Sequence, residues 1–113
     1  MELETADVGD DATKIILRGR LDVSGVDKIE TRFTALASAA GRDALVDLSG
    51  VTFIASMGIR MLIAAARGMK MKKRKMVIFG AHDVVKEVLD TVNLNAIIPV
   101  VADEGAALHA LSR

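Results

Sequence analysis

A single α/β domain, with about four helices packed on a mostly parallel, mixed β-sheet of about four to five strands, is the fold class this sequence predicts. Three observations lead there. Short β-branched runs alternate along the chain with segments of helical period, the pattern of strands joined by crossover helices. The connections are short, with no linker, repeat or low-complexity segment between them. The length, 113 residues, suits one core over two, and hydrophobic residues at 51% are ample to fill it.

Each element has its own signal. Lys14 to Arg18 reads as a strand, and Gly9-Asp10-Asp11 before it as a turn, which makes Leu3 to Val8 an edge strand in a hairpin. From Ser24 to about Ala40, Val26, Ile29, Phe33 and Leu36 recur at three- and four-residue steps among charged residues. That is an amphipathic helix, with Ser24 as its cap and Gly41 as its stop. Ala44 to Leu48 is a buried strand closed by Ser49-Gly50, and Met57 to about Met69 a central helix apolar enough to pack hard on a sheet. Met76 to Phe79 is another buried strand, stopped by Gly80. Asp83 to about Val92 places Val84, Val85, Val88, Leu89 and Val92 on one helical face. Ala96 to Val101 reads as a last strand, held to the edge by Pro99, and Glu104 to Leu111 as a short terminal helix.

Composition narrows the chemistry. Fifteen basic and fifteen acidic residues cancel, so no global field steers the molecule to nucleic acid. Cysteine is absent, which excludes disulfides, thiolate nucleophiles and thiolate metal sites. Aromatic residues are 3%, all Phe, so the core is aliphatic. The start Met1-Glu2-Leu3-Glu4-Thr5 lacks the basic and apolar regions of a signal peptide. The most apolar window, Ile59 to Ala66, is broken by Arg60 and followed by Arg67, far short of the roughly 20 apolar residues a spanning helix needs. A cytoplasmic protein without membrane insertion is the expectation.

The most informative stretch is Val46-Asp47-Leu48-Ser49-Gly50-Val51-Thr52-Phe53-Ile54-Ala55-Ser56-Met57-Gly58-Ile59-Arg60. A strand ends in Asp-Leu-Ser-Gly, a loop carries Phe53-Ile54, and a helix begins near Ser-x-Gly. Gly19-Arg20-Leu21-Asp22 and Val88-Leu89-Asp90-Thr91-Val92-Asn93-Leu94 fall in order around it. Together these segments resemble the STAS family, and within it the bacterial anti-sigma factor antagonists, whose helix-start loop has the form Asp-Ser-Ser-Gly. The resemblance covers nearly the whole chain.

What it implies is a regulatory binding module and not an enzyme. The unphosphorylated antagonist binds an anti-sigma factor carrying a kinase-type ATPase domain, which phosphorylates a loop Ser or Thr and so ends the complex; a PP2C-type phosphatase is the implied reset. A monomer or weak dimer is expected. The physics is sound, because a helix N-terminus offers free N–H groups to a phosphate, and an added charge of about −1.5 to −2 disfavours a partly apolar interface. The partner-binding residues so implied are Asp22, Asp47, Phe53, Ile54, Ala55, Ser56, Met57, Gly58 and Arg60.

This chain departs from the pattern at its centre. Aligning Ala55-Ser56-Met57-Gly58 with Asp-Ser-Ser-Gly puts Met57, which has no hydroxyl, at the usual phosphoacceptor, and Ala55 at the acidic position. Ser56 stands one position earlier. It reads either as the helix N-cap or as a displaced phosphoacceptor. Met57 reads either as core or as flexible apolar contact to a partner. Asp22 and Asp47, on the edge the resemblance gives to the loop, read either as partner contacts or as ordinary caps of turns and helices.

Elsewhere, Arg67, Lys70, Lys72, Lys73, Arg74 and Lys75 put six cations in nine positions without the aromatic residues that base stacking needs. They complement the helix dipole and keep a connection solvated, with an acidic protein as the partner they would otherwise suit. His82 and His109 fit no metal spacing and read as surface residues; no Walker, dinucleotide or nucleophile-elbow motif occurs, and no cofactor is expected. Three functions follow. The first is the antagonist, with Ser56 its phosphorylation candidate. The second is a phosphorylation-independent STAS subunit of a lipid-transporting ABC system or another signalling complex. The third, weaker, is a protein that holds or hydrolyses a nucleotide.

Overall fold

The computed structural model describes residues 1–38 and 41–112. In chain order the elements are strand β1 (Glu2–Val8), strand β2 (Ala12–Leu21), helix α1 (Val23–Ser38), strand β3 (Asp43–Ile54), helix α2 (Ser56–Met71), strand β4 (Met76–Phe79), helix α3 (Asp83–Thr91), a 3-10 turn (Leu94–Ala96), strand β5 (Val100–Val101) and helix α4 (Glu104–Leu111). The five strands form one sheet in sequential order. β1 runs antiparallel to β2, and every later pairing is parallel. The predicted class, a mixed but mostly parallel sheet with four helices, is the one found.

The strand period explains how helices cover both faces. Ala44, Val46 and Leu48 of β3, with Met76 and Ile78 of β4, point into a large core shared with α1, α2 and α3. The alternate residues Leu45, Val77 and Phe79 point the other way, into a small core closed by Ala107 of α4. β4, and β3 from Ala44 to Val46, are thus buried on both sides. That is why these stretches read as continuous apolar runs and not as alternating ones.

Several boundaries moved. β3 does not stop at Ser49-Gly50 but continues to Ile54, because β2 also runs on and pairs with it: Gly19 lies opposite Val51, Arg20 opposite Phe53 and Leu21 opposite Ile54. Two register shifts put extra residues on the β3 side of this pair. Phe53 and Ile54 are therefore strand residues, not loop residues. α1 begins one residue before Ser24, and its cap is Asp22, whose Oδ1 accepts the Gly25 N–H at 2.9 Å. A side chain at Gly25 would meet the Arg20 carbonyl oxygen at 2.1 Å, so only glycine lets α1 start so close to β2. Ala39 and Ala40, to which the helical pattern extends, lie outside the described residues.

On α3 only Val85 and Leu89 are fully buried, and Val84 and Val92 are about half exposed, so the expected five-residue face is two narrower ones. The last strand shrinks to Val100–Val101 at the sheet edge, and Ala96 belongs to the 3-10 turn. Pro99 permits this by supplying its carbonyl, which accepts the Ile78 N–H at 2.9 Å, while having no N–H of its own to offer.

Candidate functional site

The parallel strands β2 and β3 end side by side, and their carboxyl ends deliver the chain into α1 and α2. The Ala55 N–H donates to the Leu21 carbonyl at 3.0 Å, fastening the two strand ends together. Ala55 is the residue that starts α2: its backbone is extended (φ −104°, ψ 173°), and its carbonyl accepts from Gly58 at 2.9 Å and Ile59 at 3.2 Å. Its methyl side chain cannot cap. Ser56 is the first helical residue, exposed, and no side-chain cap bond is made here. The expectation of Ser56 as N-cap is thereby corrected, and the reason is geometric. A capping oxygen must sit on the extended residue that precedes the first turn, and here that residue is Ala.

Around this start the exposed side chains are of three kinds, a hydroxyl, a thioether and a guanidinium. Met57 is 37% exposed, so it lies at the surface and not in the core. Arg60 is exposed and lies four residues from Ser56, hence on the same helical face. Ile54 and Gly58, offered as contact residues by the sequence, are buried and lie beneath the surface instead. Their part is support: a Cβ on Gly58 would fall 2.9 Å from Leu21 Cγ and 3.0 Å from Ile54 Cγ1, so the missing side chain lets α2 settle onto the strand ends. The first N–H groups of a helix have no partner a full turn back; here those of Ala55 and Gly58 are taken by the Leu21 and Ala55 carbonyls.

Asp22 lies at the same edge. Its carboxyl is held below the usual carboxylate range, first by the Gly25 N–H and then by Arg20, whose Nε lies 3.3 Å from Oδ2. The Arg20 guanidinium also covers the half-buried Phe53 ring, 4.4 Å from its centroid. Arg20 is the residue sequence reasoning missed. Its signal is the cross-strand register that sets it opposite Phe53, which the sequence does not print. Arg20 thus joins Asp22 to Phe53 in one cluster beside the α2 start.

Asp47 is elsewhere. It sits in mid-β3 opposite Phe79, seven strand residues before Ile54, roughly 23 Å of extended chain. Its Oδ1 accepts both the N–H of Ser49 at 2.9 Å and its hydroxyl at 2.7 Å, so it shapes the strand irregularity and takes no place at the α2 start. The Ser49 carbonyl is met by His82 Nε2 at 2.8 Å, and His82 Nδ1 reaches Asp83 at 2.9 Å. His82 precedes α3 and His109 lies in the last turn of α4, both exposed. Among the described residues no three His, Asp or Glu gather in a metal-holding group, and no helix is long and apolar enough to cross a membrane.

No curated protein matches this chain significantly in sequence. The family model described as "Mlab, STAS domain" matches residues 5–101. Among solved structures, an anti-sigma factor antagonist from Mycobacterium paratuberculosis superposes with a TM-score of 0.87 at 18% identity, covering 99% of this chain and 94% of that one. A STAS domain protein from Planctomyces limnophilus gives 0.84 at 23% identity, covering 98% of each chain. The Bacillus cell fate determinant SpoIIAA in its phosphorylated form gives 0.70 at 16% identity, over 96% and 99%. At these identities the structures share the fold with this chain.

Proposed function

The chain belongs to the STAS family, and from that premise we propose that it is a regulatory binding protein of the anti-sigma factor antagonist type. Its partner is an anti-sigma factor of the kinase type, and its docking surface is the α2 start with the Asp22, Arg20 and Phe53 cluster beside it. One observation carries the phosphorylation part of this reading: Ser56 is exposed at the first position of α2 and makes no capping bond. A hydroxyl so placed is open to a kinase. Once phosphorylated it adds charge at the positive end of the helix, one turn from Arg60, and beside the exposed apolar Met57. The new charge is accommodated by the helix and rejected by an apolar interface, which is the behaviour a release switch needs.

A second reading rests on Met57. A methionine 37% exposed at the position where the family's phosphoacceptor aligns suits a lasting apolar contact, as in a phosphorylation-independent STAS subunit of a lipid-transporting ABC system. Affinity purification of the tagged protein from its own cells, with mass spectrometry of partners and bait, separates the two. The first reading expects a kinase-type anti-sigma factor and phosphate on Ser56, and expects Ser56→Asp to bind that partner more weakly. A transporter ATPase with no phosphate on the bait, or wild-type affinity in Ser56→Asp, would sink it in favour of the second.

A further inference from the structure

The far end of α2 carries a feature the switch does not use. The last turns of α2, the connection to β4 and the segment from the 3-10 turn to β5 enclose a cleft of about 390 Å³. A shallower hollow of about 290 Å³ continues it and shares Ala66, Lys70 and Ile97. The rim holds Arg67, Lys70, Lys73, Arg74 and Lys75, the walls are apolar at Ile97, Ile98 and Pro99, and no carboxylate lines either hollow. Arg74 is engaged structurally by Asp43, 3.2 Å away, but Arg67, Lys70 and Lys73 make no ion pair among the described residues. Two large apolar side chains are exposed nearby, Ile97 in the lining itself and Met71 one turn beyond Arg67. Met71, four residues on from Arg67 and so beside it, is 87% exposed, and Ile97 is 52% exposed.

We propose that this face docks on the surface of a bilayer containing anionic phospholipid. Arg67, Lys70 and Lys73, with no ion pair among the described residues and no lining acid, call for an anionic counterpart. The apolar walls and protruding Met71 and Ile97 call for one that also offers hydrocarbon within a few ångströms of its charge. A phospholipid headgroup layer presents both at once. The cations draw in the headgroup phosphates, and Met71 and Ile97 enter the acyl boundary. The 16-residue helix places Ser56 roughly 22 Å from this face, so a docked molecule leaves the α2 start open to its protein partner.

The test is co-sedimentation of the full chain with vesicles of phosphatidylcholine alone and of phosphatidylcholine mixed with phosphatidylglycerol. Binding is expected only to the mixed vesicles and should weaken as salt is raised. Lys70→Gln with Lys73→Gln should lose about 25-fold, near fivefold for each cation removed. Met71→Ser with Ile97→Ser should lose severalfold at unchanged salt dependence. All four positions are exposed, and unchanged circular dichroism checks the fold. Equal binding to both vesicle types, binding to neither, or wild-type binding by the lysine pair would overturn the proposal. So would capture of a poly-glutamate peptide through the same lysines by a protein that ignores vesicles.

Discussion

The two ends of α2 differ in how they are built. At the Ser56 end the backbone is fixed by short-range contacts: Ala55 bonded to Leu21, Gly58 seated on Leu21 and Ile54, Asp22 and Arg20 held alongside. Of its charges Asp22 and Arg20 are paired with each other, and the exposed Met57 is apolar. The Lys70 end is dense in cations, opens into a cleft and has Arg74 paired with Asp43. A single helix thereby presents one surface suited to recognition by shape and another suited to recognition by charge. The contrast teaches that the two should answer to different perturbations, one to packing and the other to ionic strength.

The largest perturbation should erase the contrast. Leu62 is fully buried in mid-helix, and Leu62→Ala should cost about 2–5 kcal/mol in denaturant unfolding, loosening both ends together. Gly58→Val should act on one end, costing about 1–3 kcal/mol by overpacking against Leu21 and weakening partner binding while vesicle binding persists. Equal loss at both ends would show that α2 responds as one rigid body and that the contrast is only compositional. Ser56→Asp sharpens the comparison, because a carboxylate in the first turn should stabilise the helix by about 0.3–1 kcal/mol even as it weakens partner binding. A fall in stability instead would mean the side chain is engaged in a contact the free surface does not suggest.

The smallest expected effect concerns the neighbouring helix. His82 meets two acceptors, the Asp83 carboxylate and the Ser49 carbonyl, so only the imidazolium can donate to both. Asp83 first and Ser49 second raise its pKa above the ordinary 6.5. The linkage sign follows: the link between β3 and α3 contributes stability below the unfolded value, and that contribution fades as pH rises through the raised folded value. His82→Ala should therefore melt below wild type at about pH 5.5 and together with it at about pH 8.5. A gap that persists at the higher pH would make the role of His82 one of packing. Neither end of α2 should notice.

Much of this was legible in the sequence. The apolar runs at Ala44–Leu48 and Met76–Phe79, and the helical spacing of Val26, Ile29 and Phe33, report local burial, and local burial is what a period of two or 3.6 encodes. The candidate site was legible in part. Asp22, Phe53, Ser56, Met57 and Arg60 do share the α2 start, whereas Ile54 and Gly58 lie beneath it and Asp47 lies far along β3.

The chain's own pattern was thus enough to determine the α/β class, the order of the elements and the segment that opens α2. The tertiary structure decided that β3 continues past Gly50, that Ala55 and Asp22 rather than Ser56 and Ser24 begin the helices, and that Arg20 bridges Asp22 to Phe53. It also decided that Ile97 and Pro99 meet the Lys70 end in a cleft. Apart from the Asp22 cap, which is local, the reason is common to these. Each depends on which residue faces which across β2, β3 and the β5 edge, a register settled by hydrogen bonds between segments tens of residues apart and invisible to any periodicity within one.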